Sequence, residues 1–90
     1  MKPFMVVGSF KPGTNMPEVF AVVAKEQARM SQLQAEGRIN GLYLATAARQ
    51  TVFMESFGED IDDVVAMVKT LPMAKWWDLD VFPLNPPAGS

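Results

Sequence analysis

One carboxylate stands where a carboxylate is out of place. Between Val19 and Gly37 the spacing predicts a single amphipathic helix. At 3.6 residues per turn, Val19, Val22, Val23, Met30 and Leu33 fall within about 60° of one direction. Glu26 sits in the middle of that arc and Arg29 at its edge. An apolar stripe is normally hidden, and a lone carboxylate rarely is. The pattern therefore points to a small-molecule pocket holding one acid–base group. The plainer reading of Glu26 is an i, i+3 ion pair with Arg29, or a helix edge washed by solvent. Tyr43, Trp76 and Trp77 are the other side chains with a polar tip on an apolar body, and ordinary packing is the plainer reading of each.

The composition narrows the chemistry. The chain has no Cys, which excludes a disulfide scaffold, a thiol nucleophile and thiolate metal sites. It has no His either, which removes most zinc and haem ligation and the usual general base. No cofactor and no metal are expected. The net charge is −2, and the eight basic residues are scattered from Lys2 to Lys75. Nucleic-acid binding needs a basic cluster that displaces counterions, so no nucleic-acid partner is expected. No stretch approaches the roughly 20 apolar residues of a membrane span, and Phe4 to Val7 is too short for a signal-peptide core. A cytoplasmic protein with no membrane partner is the expectation.

The elements that must position these residues follow from periodicity. Ninety residues make one domain, expected over 1–84 with a Pro-rich tail over 85–90. Phe4 to Phe10 is apolar on both alternating faces, as in a strand buried on both sides, and Gly8 within it marks a bulge or a close approach. Lys11 to Thr14 is a turn, and Asn15 caps the helix that runs to Glu36, with Gly37 as its C′ residue. Its far face carries Ala21, Ala24, Ala28, Ser31 and Ala35, which suits either a solvated surface or a close subunit contact. Ile39 to Ala47 is the second strand, with Leu42 and Leu44 facing one way and Ile39, Tyr43 and Ala45 the other. The connection Ala47 to Gln50 is short, so the third strand, Thr51 to Phe57, is antiparallel to the second. Asp60 caps a second helix whose stripe is Ile61, Val64, Val65, Val68 and Leu71. The acidic cluster Glu59, Asp60, Asp62 and Asp63 is explained by that helix start without a metal. Leu71-Pro72 ends the helix, and Trp77 to Leu84 alternates as an edge strand ending near Pro83.

Strand, helix, two strands, helix, strand is the βαββαβ order of the α+β ferredoxin-like fold. It makes a four-stranded antiparallel sheet with two helices on one face. The other face is too apolar to stand alone, and packing two sheets together as a dimeric α+β barrel would cover it.

Three segments extend this reading. Ser31 to Gly37 (SQLQAEG) with Glu26 upstream, Thr70-Leu71-Pro72, and Trp76 to Val81 (WWDLDV) make the chain resemble the muconolactone isomerase-like group of the dimeric α+β barrel superfamily. It departs from that group at Ala48, Arg49 and Gln50, where a histidine is expected, and near Leu44, where an arginine is expected. The resemblance implies the fold, a homodimer or larger homo-oligomer, and a small cyclic or unsaturated acid or lactone as ligand. It further implies an isomerase that shifts a C=C bond, in aromatic-compound catabolism. In that chemistry Glu26 is the general base, Tyr43 donates to an enolate oxygen, Arg29 holds a substrate carboxylate, and Trp76 and Trp77 wall the site. Two other classes stay open: a cofactor-independent monooxygenase or cyclase acting on an aromatic or polyketide-like substrate, and a non-enzymatic ligand-binding or assembly protein.

Overall fold

The computed structural model describes residues 1–45 and 50–85. The connection expected at Ala47 to Gln50 therefore falls almost wholly outside the described residues, as do Ala48, Arg49 and the tail beyond Asn85. Four strands, β1 (Lys2–Phe10), β2 (Ile39–Ala45), β3 (Thr51–Gly58) and β4 (Trp77–Pro83), form one antiparallel sheet in the order β2-β3-β1-β4. Three helices, α1 (Met16–Ala21), α2 (Val23–Ala35) and α3 (Ile61–Val68), and a 3-10 turn at Ala74–Trp76 are the other elements among the described residues. The expected strand–helix order is present, with β1 at the centre because its two faces are both apolar.

Alternation sorts the sheet into two faces. Phe4 and Val6 of β1, Val52 and Met54 of β3, and Trp77 of β4 are buried against Met30, Leu33, Val64, Met67 and Val68 of the helices. Met5, Val7, Phe53 and Phe57 point the other way and are only half-buried. Tyr43 and Phe82 lie on that open face with 66% and 53% of their surface exposed. Gly8 meets the close approach its position predicts. A Cβ there would lie 3.0 Å from the Trp77 ring, so the missing side chain is what seats the indole against the sheet.

The structure corrects the sequence reading at four places. The expected single helix is two, broken at Val22 (φ −107°, ψ 9°), where the Val22 N–H bonds back to the Val19 carbonyl at 3.1 Å. Consecutive β-branched Val22 and Val23 are stiff in a helix and weaken it there, without the Pro or Gly that would have marked a break. Ile39 is fully buried on the helix side with Leu42, because a register shift between them reverses its facing. Helix α3 ends at Val68 rather than Leu71, since Thr70 and Leu71 bond back in tight turns to Met67 and Val68. Ile61 is 44% exposed, and Met67 takes its place in the core.

The acidic cluster is engaged as a helix start. The Asp60 side chain accepts from the Asp63 N–H at 2.8 Å, and Asp63 Oδ2 accepts from the Glu59 N–H at 2.9 Å and from Arg38 Nη2 at 3.0 Å.

Candidate active site

The break at Val22 sets the site. It starts α2 afresh, so Glu26 falls in the first turn of that helix, where the free N–H groups favour a carboxylate. The same face carries Met30 and Leu33 into the core, and Glu26 goes in with them, only 8% exposed. Its Oε1 accepts from the Met73 N–H at 2.9 Å. Met73 precedes the 3-10 turn, whose first N–H groups have no internal partner, and the carboxylate supplies one. Oε2 has no hydrogen bond among the described residues, and no ion pair reaches Glu26 among them. Burial pushes the carboxyl above its ordinary value of 4.5, and the Met73 hydrogen bond pulls the other way without cancelling it.

Glu26 lines an open cleft of about 860 Å³ between the helices and the sheet. This is the size range of small-molecule sites. Its walls are apolar: Val19, Val23 and Met30 from the helices, Leu42, Leu44 and Val52 from the sheet, with Phe10 and Trp77 at one end. Gln27, Ser31, Gln34 and Gln50 add neutral polar groups.

The residues singled out in the sequence divide into two sets. Glu26 and Trp77 meet at the cleft. Trp77 is 4% exposed, lies edge-on to Phe10 (centroids 6.1 Å apart, planes at 84°), and buries an Nε1–H that has no partner among the described residues. The other three residues stand elsewhere. Arg29 does not line the cleft; its Nε donates to Thr70 Oγ1 at 2.9 Å and its Nη1 to Gln32 Oε1 at 3.1 Å. Tyr43 is on the open face of the sheet, paired across from Phe53, with its ring against Gly41. Trp76 lies outside the cleft, with Lys75 Nζ 4.5 Å from its ring centroid.

Sequence reasoning passed over Gln27, Gln34 and the Met73 N–H, and it set Ser31 on the far face of the helix, where the structure instead has it lining the cleft. Gln27, Ser31 and Gln34 follow an i, i+4, i+7 line one residue round the helix from Glu26, and that spacing was available to read. The Met73 N–H was not, because a backbone donor brought from 47 residues away leaves no mark on side-chain pattern.

A ferredoxin-like sheet with a carboxylate sunk in an apolar cleft beneath its helices defines a class of small α+β proteins able to hold a small molecule beside one acid–base group. Comparison with known proteins narrows that class. The muconolactone delta-isomerase family matches residues 4–88, and the chain belongs to that family. A crystal structure of muconolactone isomerase superposes with a TM-score of 0.77 at 20% sequence identity, covering 98% of this chain and 93% of that one. The shared fold is thereby shown. No curated protein matches the chain.

Proposed function

We propose that this protein is an isomerase that shifts a C=C bond along a small unsaturated lactone or related cyclic compound by proton transfer, with Glu26 as the base. The observation that carries the reading is a carboxylate on the apolar wall of a cleft of ligand size, with one oxygen anchored and the other without a hydrogen bond among the described residues. Family membership supports the reaction class. In the forward step Glu26 takes a proton from the carbon at the far end of the conjugated system. The electron pair moves through the C=C bond onto the carbonyl oxygen. The proton then returns to the carbon next to the carbonyl, so nothing is gained or lost. Desolvation helps the first half, because a carboxyl held above its ordinary range is a stronger base toward carbon acids. Gln27, Ser31, Gln34 and Gln50 are cleft groups able to donate to the developing oxyanion, and the Trp77 Nε1–H, unpartnered among the described residues, is another.

The Glu26–Met73 bond favours one other reading, in which the carboxylate only pins the turn before β4. The experiment that separates the two is isomerisation of unsaturated lactones followed by ultraviolet absorbance. Glu26→Gln keeps an acceptor for the Met73 N–H. The reading predicts a loss of about 10²–10⁴ in kcat with a cooperative unfolding transition retained. Equal rates leave Glu26 a structural residue.

We further propose that two copies pack through the open sheet face. Met5, Val7, Phe53, Phe57, Tyr43 and Phe82 make that face more apolar than a free sheet face tolerates. Tyr43 then belongs to the subunit interface.

A further inference from the structure

We propose that a groove along the edge strand β4 is a second binding site, for a small acid that carries two or more negative charges on an apolar body. The groove has a volume of about 600 Å³. It is lined by Lys11, Lys69 and Lys75, three of the eight basic residues of the chain, against one carboxylate, Asp78. Three separate elements bring the lysines there. Lys11 follows β1, and its N–H donates to the Trp76 carbonyl at 2.8 Å, which sets it beside the 3-10 turn that carries Lys75. Lys69 caps the end of α3, four residues after Val65 and on the same face of the helix. None of the three is in an ion pair among the described residues.

The walls select the ligand. Val65, Leu79 and Val81 line the groove with aliphatic surface, and Trp77 borders it as well as the cleft. Like charges gathered round one groove repel one another, and an anion set among them relieves that repulsion. One carboxylate engages one ammonium group and leaves the others, whereas two or three negative charges on a compact body engage them together. An ion without a carbon skeleton, such as phosphate, leaves the aliphatic surface to water, and a neutral ring leaves the lysines without a partner. Lysine stems lie along apolar surface with the charged end free to turn, so the side chains can close on a ligand without moving the backbone. Lys75 already lies this way, with its Nζ 4.5 Å from the Trp76 ring centroid. The groove does not depend on the chemistry at Glu26, so either reading stands if the other fails.

The test is calorimetric titration of the full chain at low salt with phthalate, an aromatic ring bearing two carboxylates. Dimethyl phthalate, which lacks the charge, and inorganic phosphate, which lacks the ring, are the comparison compounds. Phthalate is expected to bind at least about tenfold tighter than either, and to weaken as ionic strength rises. Lys69→Gln and Lys75→Gln, both at exposed positions, should each weaken phthalate by about fivefold with the fold kept. Glu26→Gln should leave its affinity unchanged, and in protein with labelled indole nitrogens the Trp77 resonance should move as the site fills. Absence of phthalate binding, equal binding of either comparison compound, or an affinity unmoved by both lysine variants overturns the proposal. An affinity that responds to Glu26→Gln and not to the lysines places the anion in the cleft and overturns it as well.

Discussion

On the proposed reading Glu26 combines two tasks that leave different marks on stability and rate. Its Oε1 caps the turn that leads into β4, and its burial raises the carboxyl above 4.5. Below 4.5 the group is protonated in both folded and unfolded chains, so the stability this offset contributes is fully present. As pH climbs through the interval up to the raised native value, the unfolded chain releases its proton first. Native stability then falls, and the loss is complete above that value. Urea denaturation of wild type and Glu26→Gln from about pH 4 to about pH 8 should show the wild type losing stability relative to the variant as pH rises. Parallel pH dependences would mean that the carboxyl is not held above its ordinary range. Glu26 was legible because it interrupts an otherwise regular stripe. Arg29 and Tyr43 were harder to place. Arg29 sits at the stripe's edge, where Thr70 from a distant turn decides its direction. Strand alternation put Tyr43 on the face opposite Leu42 and Leu44 but could not say which of the two the helices cover.

At the scale of elements, close approaches decide which substitutions the fold accepts. A Cβ on Gly58 would lie 2.6 Å from Asp63 Oδ2 and 2.7 Å from Val64 Cγ2, both at the start of α3. Gly58→Ala should therefore cost about 1–3 kcal/mol in urea denaturation, because β3 and α3 cannot separate without opening the core. Removing the cap with Asp60→Ala should cost about 1 kcal/mol by the same measurement. The strands were legible because each carries a period of two, and the cap at Asp60 because its residue type and the stripe behind it agree. The break at Val22 was not, since the apolar arc runs on through it with no Pro or Gly. The reversal at Ile39 was equally hidden, as a register shift changes facing without changing composition.

At the scale of the molecule, the covered and open faces of the sheet differ in what completes them. The covered face is finished by the protein's own helices, while the open one still shows Tyr43 and Phe82 at 66% and 53% exposure. Sedimentation should find a dimer or a larger assembly of dimers, and Phe53→Glu, at the centre of the open face, should dissociate it to monomers with the helical signal kept. A monomeric wild type would contradict the sheet-to-sheet arrangement. The fold was legible as a whole because four strand patterns and the helical stretches between them fit one simple topology, which family membership and the shared fold then bear out.

The most direct measurement is the pH dependence of kcat/KM for isomerisation of an unsaturated lactone. If Glu26 is the base, the rate rises with pH through one ionisation above 4.5, reaches a plateau, and loses that inflection in Glu26→Gln. A rate indifferent to pH across that range, or an inflection that survives in the variant, would contradict the account.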